Sequence, residues 1–375
     1  LIHESDVVCC TSIASAKASM INFDFDIIIF DESSQASQMN SLIPLIHNPK
    51  QLILIGDHNQ LDSSCPYDFK PTYVSMMQSL YRSLLDKNVQ RVMLNTQFRM
   101  NRYISEFINK EFYNNQIITI QQTEENTRKS LRNILTPIMF VDVKDGCECK
   151  VDIGSTYKNI EEADVIETIL YNLKNQGISG NQVGVITPYK GQREILKNRP
   201  KLLGYEGVKI SCVDSFQGTE REFIILSLVR TNKNSEFGFI TDRNRINVSL
   251  TRASKGLIIV GNFRAIKSSN KYSTHPENDI LVKLCKFYED HNAVVDSTKI
   301  KRNGSNNDVD LLESQKLTKL DEQNNEPVEE EEERNEFLEN IDIDTVFDDI
   351  SNICANNTKE DQKIEDKFGD TISYK

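Results

Sequence analysis

An α/β fold built from two parallel sheets in tandem, followed by a disordered acidic tail, is what this sequence of 375 residues predicts. Three observations carry the prediction. Short runs of consecutive apolar, mostly β-branched residues recur, long enough for a buried strand and too short for a helix. Between them lie stretches of helical length with one apolar face, the alternation that builds a parallel sheet with crossover helices. Both patterns stop near residue 296, where the charge also changes. Residues 1–296 carry 34 Lys and Arg against 34 Asp and Glu, whereas residues 297–375 carry 10 against 22. The net charge of −12 therefore lies in the tail, and the neutral body before it is compatible with a nucleic-acid partner.

Taken in order, Asp6 through Thr11 is an apolar segment ending in a hydroxyl residue, predicted as a strand. Asp26 through Phe30 has no polar alternation, which suits a parallel strand covered on both faces, and it runs into Asp31 and Glu32. Helical spacing over 37–46 stops near Pro49. Gln51 through Ile55 is a third apolar strand, leading into the turn Gly56, Asp57, His58, Asn59, Gln60. Residues 62–73 read as loop, with Pro66 and Pro71, and 75–86 as an amphipathic helix. A domain boundary is expected near residue 90. Beyond it the pattern predicts helices over 102–114, 160–175, 245–253 and 278–291. Strands are predicted over 138–143, 183–187, 208–213, 223–229 and 257–260. The expected domains are thus 1–90, 91–296 and the tail 297–375. Within the tail, Phe337 through Ile350 is weakly amphipathic and Glu329 through Glu333 is an acidic run.

Eight cysteines are scattered without CxxC pairs, which suits reduced, packing residues of an intracellular protein. Cys147 and Cys149 flank Glu148 as a metal or redox candidate, with a simple turn as the plainer reading. No apolar run approaches the length of a membrane-spanning helix, so no membrane partner is expected.

The chemistry concentrates where predicted strands end. In open α/β sheets ligands sit in the crevice beyond the carboxyl ends of the strands. An apolar strand ending in Asp31-Glu32 suits a magnesium nucleotide: Asp31 would hold Mg²⁺, directly or through water, and Glu32 would polarise the water attacking a γ-phosphate. The Gln60 amide can donate and accept, fitting contact with that phosphate and its water. Arg99 and Arg252 are planar forks suited to charge developing on a transferred phosphoryl group, where such arginines are worth roughly 10³–10⁵ in rate. Phe98 offers a face for adenine, and Glu220 an acceptor for ribose hydroxyls. Each also has a plain reading: Arg99 as a surface ion pair, Phe98 as a core ring, Gln60 as a turn residue.

In this order the segments resemble the superfamily 1 helicases, in particular the up-frameshift (regulator of nonsense transcripts) type. Asp6 through Thr11 resembles motif Ic, Asp31 through Gln35 motif II, and Gln51 through Leu61 (QLILIGDHNQL) motif III. Gln97 through Met100 is similar to motif IV, where the family usually has Tyr before the Arg. Ile186 through Arg193 (ITPYKGQR) and Val213 through Glu220 (VDSFQGTE) resemble the next two motifs, and Asn247 through Ala253 resembles motif VI. Asn101-Arg102 stands where the family usually has His-Pro, Asp62 follows Leu61 where it has Pro, and Ser254 stands where motif VI commonly continues with Arg or Lys. The resemblance implies two RecA-like domains with ATP and Mg²⁺ in the cleft between them. It implies Asp31, Glu32, Gln60, Arg99 and Arg252 as catalytic groups, Phe98, Gly218 and Glu220 as nucleotide contacts, and Thr11, Pro188, Tyr189 and Ser215 along a single strand of nucleic acid.

No Gly-Lys dipeptide occurs in the sequence, so the Gly-x-x-x-x-Gly-Lys-Ser/Thr loop that cradles phosphates is not among these residues. The family places that loop upstream of motif Ic. The sequence is therefore expected to be a fragment, inactive or nearly so by itself. The implied whole is an ATP-dependent, single-stranded-RNA translocase of nonsense-mediated mRNA decay. It would be cytoplasmic and monomeric, with protein partners of mRNA surveillance and with DNA as the alternative substrate. Two other readings stay open: a related helicase, of the senataxin type (nuclear) or a nuclease-helicase type, and a non-catalytic scaffold binding RNA or proteins.

Overall fold

A computed structural model describes residues 2–63, 78–87, 89–120, 136–151, 156–232, 234, 236–269 and 279–302. The acidic tail beyond 302, most of the 62–73 loop, the start of the 75–86 helix, Cys65 and Cys354 lie outside the described residues. Those that are described belong to one unit, residues 1–312.

The largest element is a six-stranded sheet in the order β12-β5-β11-β10-β8-β9, with every pairing parallel. Its strands are β5 (Ile138–Asp142), β8 (Val183–Ile186), β9 (Lys209–Ser211), β10 (Arg221–Ser227), β11 (Ala253–Gly261) and β12 (Val294–Asp296). Successive side chains of a strand point to opposite faces, so a strand buried on both must be apolar throughout. Accordingly Phe140, Ile224, Leu226, Leu257 and Ile259 join one core, while Met139, Val141, Phe223, Ile225, Ile258 and Val260 join the other. Each such side chain contributes about 1.5–3 kcal/mol on burial. Gly184 of β8 lies where Phe216 crosses: a Cβ there would stand 2.5 Å from the ring.

Ten α-helices are found among the described residues. They are α1 (Ser12–Ser15), α2 (Gln38–Leu42), α3 (Leu80–Leu85), α4 (Arg102–Phe112), α5 (Ile160–Asn175), α6 (Lys190–Leu196), α7 (Arg199–Leu202), α8 (Arg243–Leu250), α9 (Phe263–Ser269) and α10 (Asp279–Asp290). α4, α8 and α10 cover the first face of the sheet, through Phe107, Ile108, Val248, Leu250, Leu281 and Leu284. The second face packs against Ile166, Ile169, Leu170 and Leu173 of α5. α5 starts where predicted because Asn159 caps it, accepting from the Glu162 amide at 3.1 Å, and Glu161 and Glu162 suit the positive end of the helix. α4 is capped by Asn101, which accepts from the Tyr103 amide at 3.0 Å. The family's His-Pro is thus replaced by a residue with its own way of starting the helix. α8 begins two residues earlier than predicted, because Asp242 caps it by accepting from the Arg245 amide at 3.0 Å.

The remaining strands pair in twos. β3 (Thr96–Gln97) and β4 (Ile118–Thr119) are parallel, and β6 (Glu148–Val151) and β7 (Thr156–Asn159) form an antiparallel pair. β1 (Ile27–Phe30) and β2 (Gln51–Leu54) are parallel, with Ile27 opposite Gln51 and Phe30 opposite Leu54. Here two expectations fail. β1 is not covered on both faces: Ile27 is 55% exposed and Ile29 60%, because β2 is its one partner among the described residues and only short helices lie near. Asp6 through Thr11 is not a strand, since no described strand pairs with it; Thr11 instead caps α1, its Oγ1 accepting from Ala14 at 3.3 Å. The cysteines also depart from the prediction, for Cys9, Cys10, Cys147 and Cys149 are exposed and Cys285 is buried.

Candidate functional site

Asp31 and Glu32 leave the carboxyl end of β1. Glu32 takes a φ of +51°, a left-handed conformation that costs a non-glycine residue about 1 kcal/mol or more. The turn is held from the neighbouring strand. The Ile55 amide donates to Phe30 O at 2.9 Å, and the Ser33 amide and hydroxyl both donate to Ile55 O at 2.8 Å. Both carboxylates stay exposed; Asp31 Oδ1 accepts from the Glu32 amide at 2.9 Å and Glu32 Oε2 from Gln35 Nε2 at 2.5 Å. Gly56, two residues beyond β2, allows close approach: a Cβ there would stand 3.0 Å from the Ser34 amide nitrogen.

The turn after β2 is organised by Asp57, which the sequence did not single out. Asp57 Oδ1 accepts from the Asn59 amide at 2.9 Å, and Oδ2 accepts from Gln60 Nε2 at 2.8 Å and from the Tyr113 hydroxyl at 2.5 Å. Asn59 Nδ2 donates to Phe112 O at 2.8 Å. From α8, Asn247 Nδ2 donates to Asn59 O at 2.8 Å and to the Tyr113 hydroxyl at 3.0 Å. Burial, then the Asp57 charge, pushes the Tyr113 hydroxyl above the usual tyrosine range, so it remains a protonated donor.

Arg252 meets this turn. It is 4% exposed, donating from Nε to Val248 O at 3.0 Å and from Nη2 to Thr251 Oγ1 at 2.9 Å and Gln60 Oε1 at 3.3 Å. Burial lowers its pKa to about 10, helped by the Arg99 charge and opposed by Glu32, Glu220 and Tyr113, so it stays charged at neutral pH. Arg99 pairs with Glu220 through Nε and Oε2, both half-exposed, and its Nη1 donates to Thr251 O at 3.5 Å. Gln97 shapes that segment by accepting from the Arg99 and Met100 amides at 3.0 and 2.7 Å. Glu32, Gln60, Arg99, Glu220 and Arg252 therefore share one electrostatic neighbourhood. Phe98 is no core ring, being 62% exposed, and Gly218 occupies an exposed turn at φ +68° with open space where a Cβ would be.

Not every group lies at a carboxyl end. Glu220 and Arg252 precede β10 and β11, at the amino ends of the six-stranded sheet, where the Arg221 amide donates to Arg252 O at 3.0 Å. Pro188, Tyr189 and Ser215 follow the carboxyl ends of the adjacent strands β8 and β9. Pro188 is half-buried and Ser215 exposed, whereas Tyr189 is buried. The Tyr189 hydroxyl donates to Phe237 O at 3.0 Å, and its ring lies edge-on to Tyr157. The Arg230 guanidinium sits 4.1 Å over the Tyr157 ring, with Nε donating to Glu148 Oε2 at 3.0 Å. Beneath this cluster lies the fully buried Glu162, which accepts from Ser227 Oγ at 2.7 Å and from the Val229 amide at 3.0 Å. Val229 has φ +73° and the Arg230 amide donates back to Leu228 O at 2.9 Å, a γ-turn that a β-branched residue adopts only when held there.

Among the described residues no group of three or more His, Cys, Asp and Glu could form a metal cage. Magnesium needs none, because it takes one or two carboxylates and completes its shell with phosphate and water oxygens, a set that Asp31 fits.

Two family models, each described as an AAA domain, match residues 1–65 and 74–264. Over 295 residues the chain is 34% identical to the "Regulator of nonsense transcripts 1 homolog" of Arabidopsis thaliana, covering 75% of this chain and 23% of that protein. Over 278 residues it is 36% identical to the "ATP-dependent helicase NAM7" of Saccharomyces cerevisiae, covering 71% and 28%. The chain thus spans about a quarter of the length of these curated relatives. A crystal structure of the arterivirus nonstructural protein 10 helicase matches with a TM-score of 0.35 at 18% identity, over 64% of this chain and 40% of that one.

Proposed function

The chain belongs to the AAA-domain helicases of superfamily 1, in the regulator-of-nonsense-transcripts type, and from that premise we propose that it supplies the water-activating and arginine half of an ATP-hydrolysing site in an RNA helicase. The observation that carries this reading is the meeting of Gln60, from the turn after β2, with the buried Arg252 at the head of β11, at 3.3 Å and within electrostatic reach of Glu32 and Arg99. Asp31 would hold Mg²⁺, which when bound would neutralise phosphate charge. Glu32 orients and deprotonates the attacking water, and Arg252 and Arg99 offset charge growing on the transferred group. Phe98 and the Gly218-to-Glu220 turn flank that place, suited to the base and ribose. For Glu220 to receive a ribose, its ion pair with Arg99 opens, which also frees Arg99 to turn toward phosphate. Pro188, Ser215 and Thr11 contact single-stranded RNA, while Tyr189, being buried, shapes that surface from beneath.

In the six-stranded sheet Glu220 and Arg252 lie at the amino ends of their strands and Pro188 and Ser215 beyond the carboxyl ends of theirs, so hydrolysis at one end is transmitted through the sheet to grip at the other. This arrangement serves a translocase acting in mRNA decay, in the cytoplasm, with partners of mRNA surveillance. The 375 residues alone, having no Gly-Lys phosphate loop, turn over ATP slowly if at all. The test is RNA-stimulated ATP hydrolysis by the full-length protein that carries this segment. Stimulation by single-stranded RNA that weakens as salt rises from 50 to 200 mM, roughly as expected for phosphate contacts, supports the reading. An RNA-binding protein without ATP turnover supports a scaffold instead.

A further inference from the structure

The amide of Gln60 has two chemically different ends, and one carboxylate decides which faces where. Asp57 Oδ2 takes the Nε2 end at 2.8 Å, leaving Oε1 to meet Arg252 Nη2 at 3.3 Å. The reverse orientation would set the amide NH₂ against the guanidinium, donor against donor, and its oxygen against a carboxylate. Asp57 is itself held by the Tyr113 hydroxyl, donating to the same Oδ2 at 2.5 Å. That hydroxyl accepts from Asn247 of α8 at 3.0 Å, and Asn247 also donates to Asn59 O at 2.8 Å. α8 is the helix whose Val248 carbonyl anchors Arg252 Nε. A continuous polar chain therefore runs from Arg252 through Gln60, Asp57 and Tyr113 back to α8, the helix that precedes and anchors Arg252.

We propose that Tyr113, together with Asp57 and Asn247, is a positioning element that fixes the Gln60 amide with its oxygen toward Arg252 and makes that orientation depend on the placement of α8. The inference rests on the reading of Gln60 and Arg252 as groups of the hydrolytic site. With its oxygen turned to the site, Gln60 keeps a lone pair free to accept from the attacking water while still accepting from Arg252. A displacement of α8 withdraws Asn247 from both Tyr113 and Asn59, loosening the Gln60 turn at the same moment that Arg252 moves. Tyr113 touches neither phosphate nor water in this scheme, and acts through Asp57 and through its own contact with the Gln60 side chain.

The test uses Tyr113→Phe in the full-length protein, which keeps the ring and removes one oxygen. Loss of a hydrogen bond to a charged group costs roughly tenfold or more, so kcat for RNA-stimulated ATP hydrolysis should fall about tenfold while KM for ATP and RNA affinity stay within about twofold. Adding Asp57→Asn should cost little beyond either change alone, because the two residues act as one unit. An unchanged kcat, a loss confined to KM, or multiplying losses would overturn the proposal. A second readout does not depend on turnover. The side-chain amide NMR signals of Gln60, identified by their disappearance in Gln60→Glu, should shift in Tyr113→Phe. If they stay in place the bridge is wrong even where the ATPase reading holds; if they shift in a protein without ATP turnover, the bridge stands and the hydrolytic reading falls.

Discussion

Ile225 of β10 and Ile29 of β1 each sit inside an unbroken apolar run, yet Ile225 is fully buried and Ile29 is 60% exposed. Their strands differ in neighbours. β10 lies between β11 and β8 with helices over both faces, whereas among the described residues β1 has β2 as its partner and one face left open. An apolar run specifies that a strand can be covered twice; the cover itself must come from other parts of the chain. Around β1, Ile13, Met39, Leu42 and Ile46 are exposed as well, so the sheet that carries Asp31 and Glu32 is the thinly covered one. Among the described residues the arginine side of the site rests on a deep core, and the carboxylate side on a shallow one.

That contrast can be broken by substitution. Ile225→Ala should cost about 2–5 kcal/mol, read as a fall in the urea midpoint, because it opens a cavity in the double-covered sheet. An intermediate effect is expected from Glu162, whose burial beneath β10 raises its pKa to about 8 from 4.5, with the Ser227 and Val229 hydrogen bonds pulling the other way. Between pH 4.5 and 8 the unfolded chain loses that proton while the folded one retains it, so stability falls as pH rises, by a few kcal/mol at most, roughly. Glu162→Gln should flatten that pH dependence in urea titrations; a slope identical to wild type would show that the carboxyl is ionised in the fold. Smallest of all, Ile29→Ser should change the urea midpoint by less than about 0.5 kcal/mol equivalent. A loss as large as that of Ile225→Ala would mean that β1 is covered after all.

Much of the second sheet was legible in the sequence. Runs such as Ile138 to Val141 and Leu257 to Val260 are apolar on both faces because both faces are covered, and α5 matches its predicted bounds because Asn159 caps it. Asp6 through Thr11 was misread, since a short apolar segment looks the same whether or not a neighbour exists to pair with it. Within the site, Gln60 and Arg252 stood out by motif and are found together. Asp57 and Asn59 lay in the same turn, but nothing in sequence separates a structural polar group from a chemical one. Tyr113 ends an ordinary amphipathic helix, and its link to Asp57 spans 56 positions, which no local pattern encodes. The predicted strands already place Glu220 and Arg252 ahead of theirs and Pro188 and Ser215 behind theirs; the order that sets β8 between β10 and β9, and so makes these strands neighbours, is not encoded locally.

The central claim is that groups from the two unequal sheets act as one hydrolytic site. It is tested most directly by RNA-stimulated ATP turnover of the full-length protein bearing Glu32→Gln, Arg252→Lys, or both. Each single change should reduce kcat by about 10³ or more while RNA binding persists, and the double should be little slower than either alone, as for groups acting in one transition state. Turnover that survives either single change, or losses that multiply in the double, would contradict the account.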